Sequence, residues 1–497
     1  MPRPDRLCHP DLDCLAPLYR VTCRFYELPT PQALIKDFMR AVTRHYNRET
    51  FSELFKLAVP MVVSQGTFAV MIFTDRLFMS RIDPTHMAAA LGGGVALFFS
   101  FCFFSGLFGY ANALSAQYFG AREWFKCPKV VSQGLIMTIG CLPALAFIGY
   151  FVADLFVSMG HEPQLAELER TYYLWLMVGS PISLAKVVFS SYFAGIGRTK
   201  LVMICDLCGL VLNIPLCYAM VFGVAGFPEM GIAGAALSTI LSTLFALLLF
   251  VGCFFAKEHR QTFRVMESFV LDLGIMRRFM RLGLPAGTEL FLNVAAFNLF
   301  LLMFQGYGIT EAASAAIVFN WDILCFVPMI GLNIGVVSLI GRFVGARDMN
   351  RTNEVIFAAF VMGLGYSGLI AIIYSVFRFQ LVGFFEPPQG EFEDILALAG
   401  YMMIGLSSYV MADATIQVAG GVLRGAGDTK WLMYASTTTH WVALAVQYYV
   451  IKVAEWGPRA SWVAFVALLF AIALLFSWRL WGGRWREEER LLAVMAE

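Results

Sequence analysis

Charge is scarce in this chain. Only 14% of its 497 residues are Asp, Glu, Lys or Arg, 59% are hydrophobic, and the mean hydropathy is +0.70. Soluble domains carry about 25% charged residues, so the deficit excludes an ordinary water-soluble fold and points to lipid. Also lacking is any groove-sized basic patch, because the basic residues lie in short connections; nucleic acid is excluded as a partner. No HExxH, GxSxG or phosphate-binding loop occurs, and the connections are too short to host a catalytic site. The chain is therefore not read as an enzyme. Residues 1–50 carry eight basic and six acidic side chains and no apolar core of signal-peptide length, which predicts a retained cytoplasmic tail.

Cysteine is present but unorganised. The eleven cysteines are scattered, several of them (Cys102, Cys141, Cys217, Cys325) in apolar runs. Cys205 and Cys208 have C-x-x-C spacing but flank Asp206 within an apolar segment and lack a second pair, so they read as packing residues. Cys8, His9, Cys14 and Cys23 could bind zinc, but their spacing fits no tetrahedral ligand set well. No cofactor is expected.

What is abundant is long apolar runs. A span needs ~20 mostly apolar residues. The runs fall at 54–78, 88–118, 128–152, 168–192, 201–223, 232–256, 279–304, 312–341, 353–378, 395–420, 431–452 and 460–481, which makes twelve. With a cytoplasmic N-terminus, 29 of the 36 Lys and Arg residues fall on the inner side, six on the outer, and Lys186 lies inside span four. That bias places both termini in the cytoplasm. The expected domains are a tail (1–50) with an interfacial amphipathic helix at 32–48, an N-lobe (51–256), a cytoplasmic linker (257–278), a C-lobe (279–481) and a second tail (482–497).

The chain also repeats itself. Leu57-Ala58-Val59-Pro60 opens span one and Leu282-Gly283-Leu284-Pro285 opens span seven, 225 positions later. At that offset Gly106 matches Gly331, and Gly120-Ala121-Arg122 matches Gly345-Ala346-Arg347. At an offset of 230, the Gly195 to Met203 segment matches Gly425 to Met433. Six spans per half is an even number, so both halves enter the membrane from one side, as parallel repeats about an axis along the membrane normal.

Five carboxylates lie within the spans: Asp75, Asp206, Glu289, Asp322 and Asp413. An ionised side chain at the bilayer centre costs at least ~2.5 kcal/mol, so each needs a partner or a function. Asp75 lies fifteen residues past Pro60, about 22 Å along the helix. Pro60 removes a backbone hydrogen bond and can serve as a hinge, as can Pro285 in span seven. Lys186 reads either as a counter-ion to one of the acids or as a structural pair; His440 reads as a satisfied bundle histidine. The 46 Phe and 24 Met residues suit an adaptable apolar cavity wall.

Several segments resemble the MATE family (multidrug and toxic compound extrusion) over roughly residues 50–480. They are Leu57 to Pro60 with Thr74-Asp75; Ala116-Gln117-Tyr118-Phe119-Gly120-Ala121; Asn213-Ile214-Pro215-Leu216 with Tyr218; Gly231 to Thr239; and Leu423-Arg424-Gly425 with Gly427-Asp428-Thr429. The resemblance implies an all-α membrane fold of twelve helices, in two six-helix lobes enclosing a V-shaped cavity. It implies antiport of cationic or amphipathic organic compounds against H⁺ or Na⁺ from the plasma (inner) membrane. A monomer in contact with lipids and small organic substrates is expected. By the same resemblance Asp75 couples the ion, with Asn213 and Thr239 beside it. The family's usual second Asn in span five is Gly209 here, and Asp206, three residues earlier, could supply the polar group. Asp413 matches a family acid whose usual partner is a Glu at the position of Asn293. Glu289 lies one turn away on the same face, so Glu289, Asn293 and Asp413 form a candidate Na⁺ site. A flippase for lipid-linked sugars is the alternative within the wider superfamily; an intramembrane enzyme is a remote one.

Overall fold

The computed structural model describes residues 46–158, 162–386 and 392–495. The amphipathic segment expected at 32–48 and the N-terminal cysteines fall almost entirely outside them. Among the described residues, ten helices are long and apolar enough to cross a membrane, and a pair bent by 45° makes an eleventh. In the first half the spans are Arg48–Ser80, Pro84–Gly109 continued by Ala111–Gly120, the bent pair Cys127–Gly140 and Leu142–Ser158, Pro163–Gly195, Thr199–Phe222 and Gly231–Phe255. In the second they are Leu273–Gln305, Ile309–Gly345, Met349–Val376, Glu393–Ala426, Thr429–Tyr448 and Pro458–Trp481. Span eleven, Thr429–Tyr448, is the least apolar because Thr437, Thr438, Thr439 and His440 fall in its middle; a turn of π-helix extends it to Val453.

Local chemistry sets the boundaries. Span three bends at Cys141 because Pro143 cannot donate to the ladder and crowds the preceding turn. Span seven begins at Leu273, inside the expected linker, because the Asp272 carboxylate accepts the Ile275 N–H at 3.2 Å and caps the helix. The linker itself holds a short helix, Lys257–Phe263. The repeated motifs turn out to be helix stops. Arg122 and Arg347 both sit at positive φ (61° and 58°), and the following N–H groups reach back to Tyr118 and Phe343 oxygens at 3.0 and 2.9 Å. Gly197 and Gly427 (φ 82° and 89°) end spans four and ten in the same way, with the Arg198 and Asp428 N–H groups bonding the Phe193 and Leu423 oxygens at 2.8 Å.

The two halves are related by a pseudo-twofold axis, visible in paired contacts. Gly106 of span two packs on the backbone of Gly287, and its repeat mate Gly331 of span eight packs on Val62, the position equivalent to Gly287. Gly120 lies on the Arg342 backbone, and Gly345 on the Gln117 backbone. Hydrogen bonds between the halves gather at the same end. Asn112 donates to the Ile334 carbonyl (3.2 Å), Gln117 to the Gly425 carbonyl (2.8 Å), Arg278 to Gln117 Oε1 (2.6 Å), and Arg342 pairs with Glu53 (2.6 Å). The C-terminal helix Glu488–Met495 docks there too: Arg278 bonds the Val494 carbonyl at 3.0 Å, and Arg490 meets Asp428 at 2.7 Å.

Burial along spans two and eight shows what happens at the other end. From Tyr110 to Tyr118 and through most of Gly331–Val344 these helices are enclosed on all sides. Toward the opposite end Ile309, Asn320, Ile323 and Leu324 are exposed, as are Phe68 and Phe73 of span one. The contacts between the lobes thus gather at the linker end, and these residues at the other end face away from the protein.

Candidate functional site

Span one presents Ser64, Thr67, Thr74 and Asp75 to its neighbours, a set spaced at helical intervals and therefore on one face. That face packs on spans five and six. Thr239 of span six donates its hydroxyl to Asp75 Oδ2 at 2.9 Å. The Asn213 amide of span five donates to that same Thr239 oxygen at 3.4 Å. The three residues that the resemblance groups are thus neighbours here. Cys217, one turn beyond Asn213, places its thiol 3.4 Å from Asp75 Oδ1. Its spacing of four from Asn213 was the available signal.

Asp75 is buried, and among the described residues no ion pair holds it. Each of its oxygens meets one neutral donor. A buried carboxylate without a cation must be met by a proton or by a bound ion. The Asn213 carbonyl oxygen, buried without a partner, adds an uncommitted acceptor beside it. Apart from the Cys217 thiol the cluster offers oxygen atoms, the donor type that suits a proton or a small hard cation. The structure describes no group of three or more His, Cys, Asp or Glu side chains among the described residues that could hold a metal ion.

Asp206 lies two turns before Asn213 on span five and is ion-paired, although its Oδ1 is buried without a hydrogen bond. Lys186 of span four sits 2.7 Å from Oδ1, and the Ser64 hydroxyl donates to Oδ2. Gly209, between the two polar residues, lets spans five and six approach: a Cβ there would lie 3.2 Å from the Ala246 methyl.

The second half is arranged differently, and among the described residues no hydrogen bond or ion pair joins its three candidate ligands to one another. Glu289 is buried, and its Oε1 accepts from Arg424 at 2.8 Å. Its charge is therefore met by the arginine of Leu-Arg-Gly rather than left for Na⁺, although Oε2 is buried without a hydrogen bond. Asn293 donates to Ser436 at 2.8 Å, and His440 Nδ1 lies 2.8 Å from the Ser436 carbonyl oxygen. Asp413 sits eleven residues before Arg424 on span ten, and its ionisable neighbour is Asp322 of span eight. Asn320 is exposed and bonds the Ala316 carbonyl at 2.7 Å. Pro60 and Pro285 are buried inside continuous helices, beside the glycine contacts that join the halves.

Comparison with known proteins accounts for this architecture. The MatE family model matches twice, over residues 60–219 and 285–449; the two matches start 225 positions apart and end 230 apart, the offsets of the internal repeat. The probable multidrug resistance protein NorM of Shewanella oneidensis is 28% identical over 438 residues, covering 86% of this chain and 94% of that protein. NorM of Mannheimia succiniciproducens is 26% identical over 450 residues (89% and 96%), and MdtK of Proteus mirabilis 25% over 453 (88% and 97%). Among solved structures, the eukaryotic MATE transporter AtDTX14 superposes with a TM-score of 0.79 at 15% identity, covering 90% of this chain and 98% of that one. An outward-facing MATE transporter of the MOP superfamily gives 0.78 at 19% identity, covering 90% and 97%. Two family matches spanning both six-helix halves, with NorM and MdtK relatives along most of the chain, lead to one conclusion: the chain belongs to the MATE family and is a membrane transporter, not an enzyme.

Proposed function

We propose that this protein is a cation-coupled antiporter that exports small cationic or amphipathic organic compounds, working by alternating access with Asp75 as the coupling acid. The observation that carries the reading is the Asp75 cluster: a buried carboxylate without a cation, bonded to Thr239 and Cys217 across three helices. The NorM and MdtK relatives are named multidrug resistance proteins, which supports drug-like substrates. Their bacterial sources support an inner-membrane location. The Lys and Arg distribution supports cytoplasmic termini. In that orientation the end at which the halves meet faces the cytoplasm. Asp75 lies in the outer half of span one, beyond the residues that join the halves there.

Coupling requires that ion and substrate favour different members of one conformational equilibrium. Neutralising Asp75 removes the cost of burying its charge and changes which packing of spans one, five and six is favoured. Proteoliposomes carrying the purified protein, with pH and Na⁺ gradients imposed separately, test the reading. Dye movement against its own gradient is expected under one of them. Dye flux indifferent to both gradients would replace antiport by facilitated diffusion, and movement of a lipid-linked sugar instead of dyes would favour the flippase.

A further inference from the structure

We propose that Asp206 is a second monovalent-cation site in the N-half, occupied in this structure by the Lys186 ammonium as a tethered cation that an incoming ion displaces. The inference rests on the cation-coupled reading above for its role in transport, but the site itself is defined by geometry.

Between spans one, four, five and six lies a cavity of about 30 Å³, lined on its polar side by Thr67, Lys186, Asp206, Ser242 and Thr243. That is room for a water or two, or for one small ion. Two of the three hydroxyl protons around it are already committed. Thr67 donates to the Ser64 carbonyl at 2.6 Å, and Thr243 to the Thr239 carbonyl at 2.8 Å. Both hydroxyls therefore keep only lone pairs for any further partner. Ser242 Oγ is buried, lines the same cavity and has no partner. The Ser242 oxygen can also turn a lone pair inward, and hydroxyl oxygens next to a carboxylate are complementary to a hard cation. Gly209 keeps it open, since any longer side chain there would enter it.

Lys186 supplies that cation at present, 2.7 Å from Oδ1. The pair is asymmetric: the lysine side chain is 29% exposed and that of Asp206 only 5%. The ammonium can therefore withdraw on its flexible stem toward the more exposed side, whereas Asp206 cannot follow and must find another positive charge. Ser64, which donates to the other oxygen, holds the carboxylate in place during the exchange. Thr243 bonds the backbone of Thr239, whose hydroxyl holds Asp75, so occupancy at Asp206 is linked along one helix to the Asp75 cluster.

Thermal unfolding of the purified protein, with NaCl replacing choline chloride at constant ionic strength, tests the proposal. In Lys186→Met the tether is gone, and Na⁺ is expected to raise Tm with an apparent affinity at least about tenfold tighter than in the wild type, where the ammonium competes. Asp206→Asn and the double variant Lys186→Met/Asp206→Asn should lose that tight response and keep only whatever Na⁺ does elsewhere in the protein. A Lys186→Met protein that responds no more tightly than the wild type, or a tight response that survives in the double variant, overturns the proposal. Should Lys186→Met not fold, radioactive Na⁺ binding decides: Asp206→Asn should bind one ion fewer per chain at saturation, and unchanged stoichiometry overturns the site. These readouts are binding measurements, so failure of drug transport in liposomes would count against the antiporter reading without touching them.

Discussion

At the scale of single residues, the buried acids differ in what holds them, and that difference is the basis for separating function from structure. Glu289 is tied to Arg424 and Asp206 to Lys186, while Asp75 has only neutral donors. Removing one member of a buried ion pair strands the other. Arg424→Met is therefore expected to destabilise the protein by about 3 kcal/mol, and Arg424→Met/Glu289→Gln to recover most of that, as read by thermal unfolding in detergent. His259, in the linker helix, is a different kind of residue. It is buried against Phe193, Phe254 and Phe263, 3.0 Å from the Tyr192 hydroxyl. Burial, helped by the positive charge of Arg198, pushes its imidazole down to about 4. The folded state holds it neutral, so the docking is fully stable above the unfolded value near 6.5 and weakens as pH falls from there toward about 4. The loss should reach roughly 3 kcal/mol at the acid end. Limited proteolysis of the linker across that range should show the weakening, and His259→Phe should abolish its pH dependence. The residue-level partners were only partly legible in the sequence. Helical spacing put Asn213 and Cys217 on one face, but nothing in a single chain says that Arg424 reaches Glu289 in span seven.

At the scale of elements, the legible features were those with a local cause. All twelve spans were visible as apolar runs, including span eleven, whose threonines lower its hydropathy without interrupting it. The repeated Gly-Ala-Arg and Gly-x-Gly segments were visible as repeats before their role was known; the structure shows them as helix stops with positive φ. The bend at Cys141 was missed because an apolar run carries no mark of direction, although Pro143 is its cause. What the sequence could not show is which helices touch. Close approach depends on small residues meeting across the two halves, and Gly341 is such a point: a Cβ there would lie 2.8 Å from the Ala116 methyl and 3.2 Å from the Ala113 carbonyl oxygen. Gly341→Val should wedge spans two and eight apart, costing about 1–3 kcal/mol and weakening export. Gly365→Ala, at a position with open space around it, should change neither Tm nor transport.

At the scale of the whole molecule, the two halves meet at one end through paired glycines, ion pairs and the docked C-terminal helix. Transport by alternating access requires that seal to open. In the proposed antiport, the energy for the exchange comes from an ion whose binding favours one packing over the other. In this account that ion acts first at Asp75. The measurement that tests it most directly is dye export by Asp75→Asn in proteoliposomes, with pH and Na⁺ gradients imposed one at a time. Asn keeps the size and can still bond Thr239, but it has no ionisable proton and offers a cation one neutral oxygen. The account predicts a protein present at normal levels that has lost gradient-driven export, with Asp75→Glu recovering part of it. Export by Asp75→Asn that still tracks either gradient at the wild-type rate would contradict it.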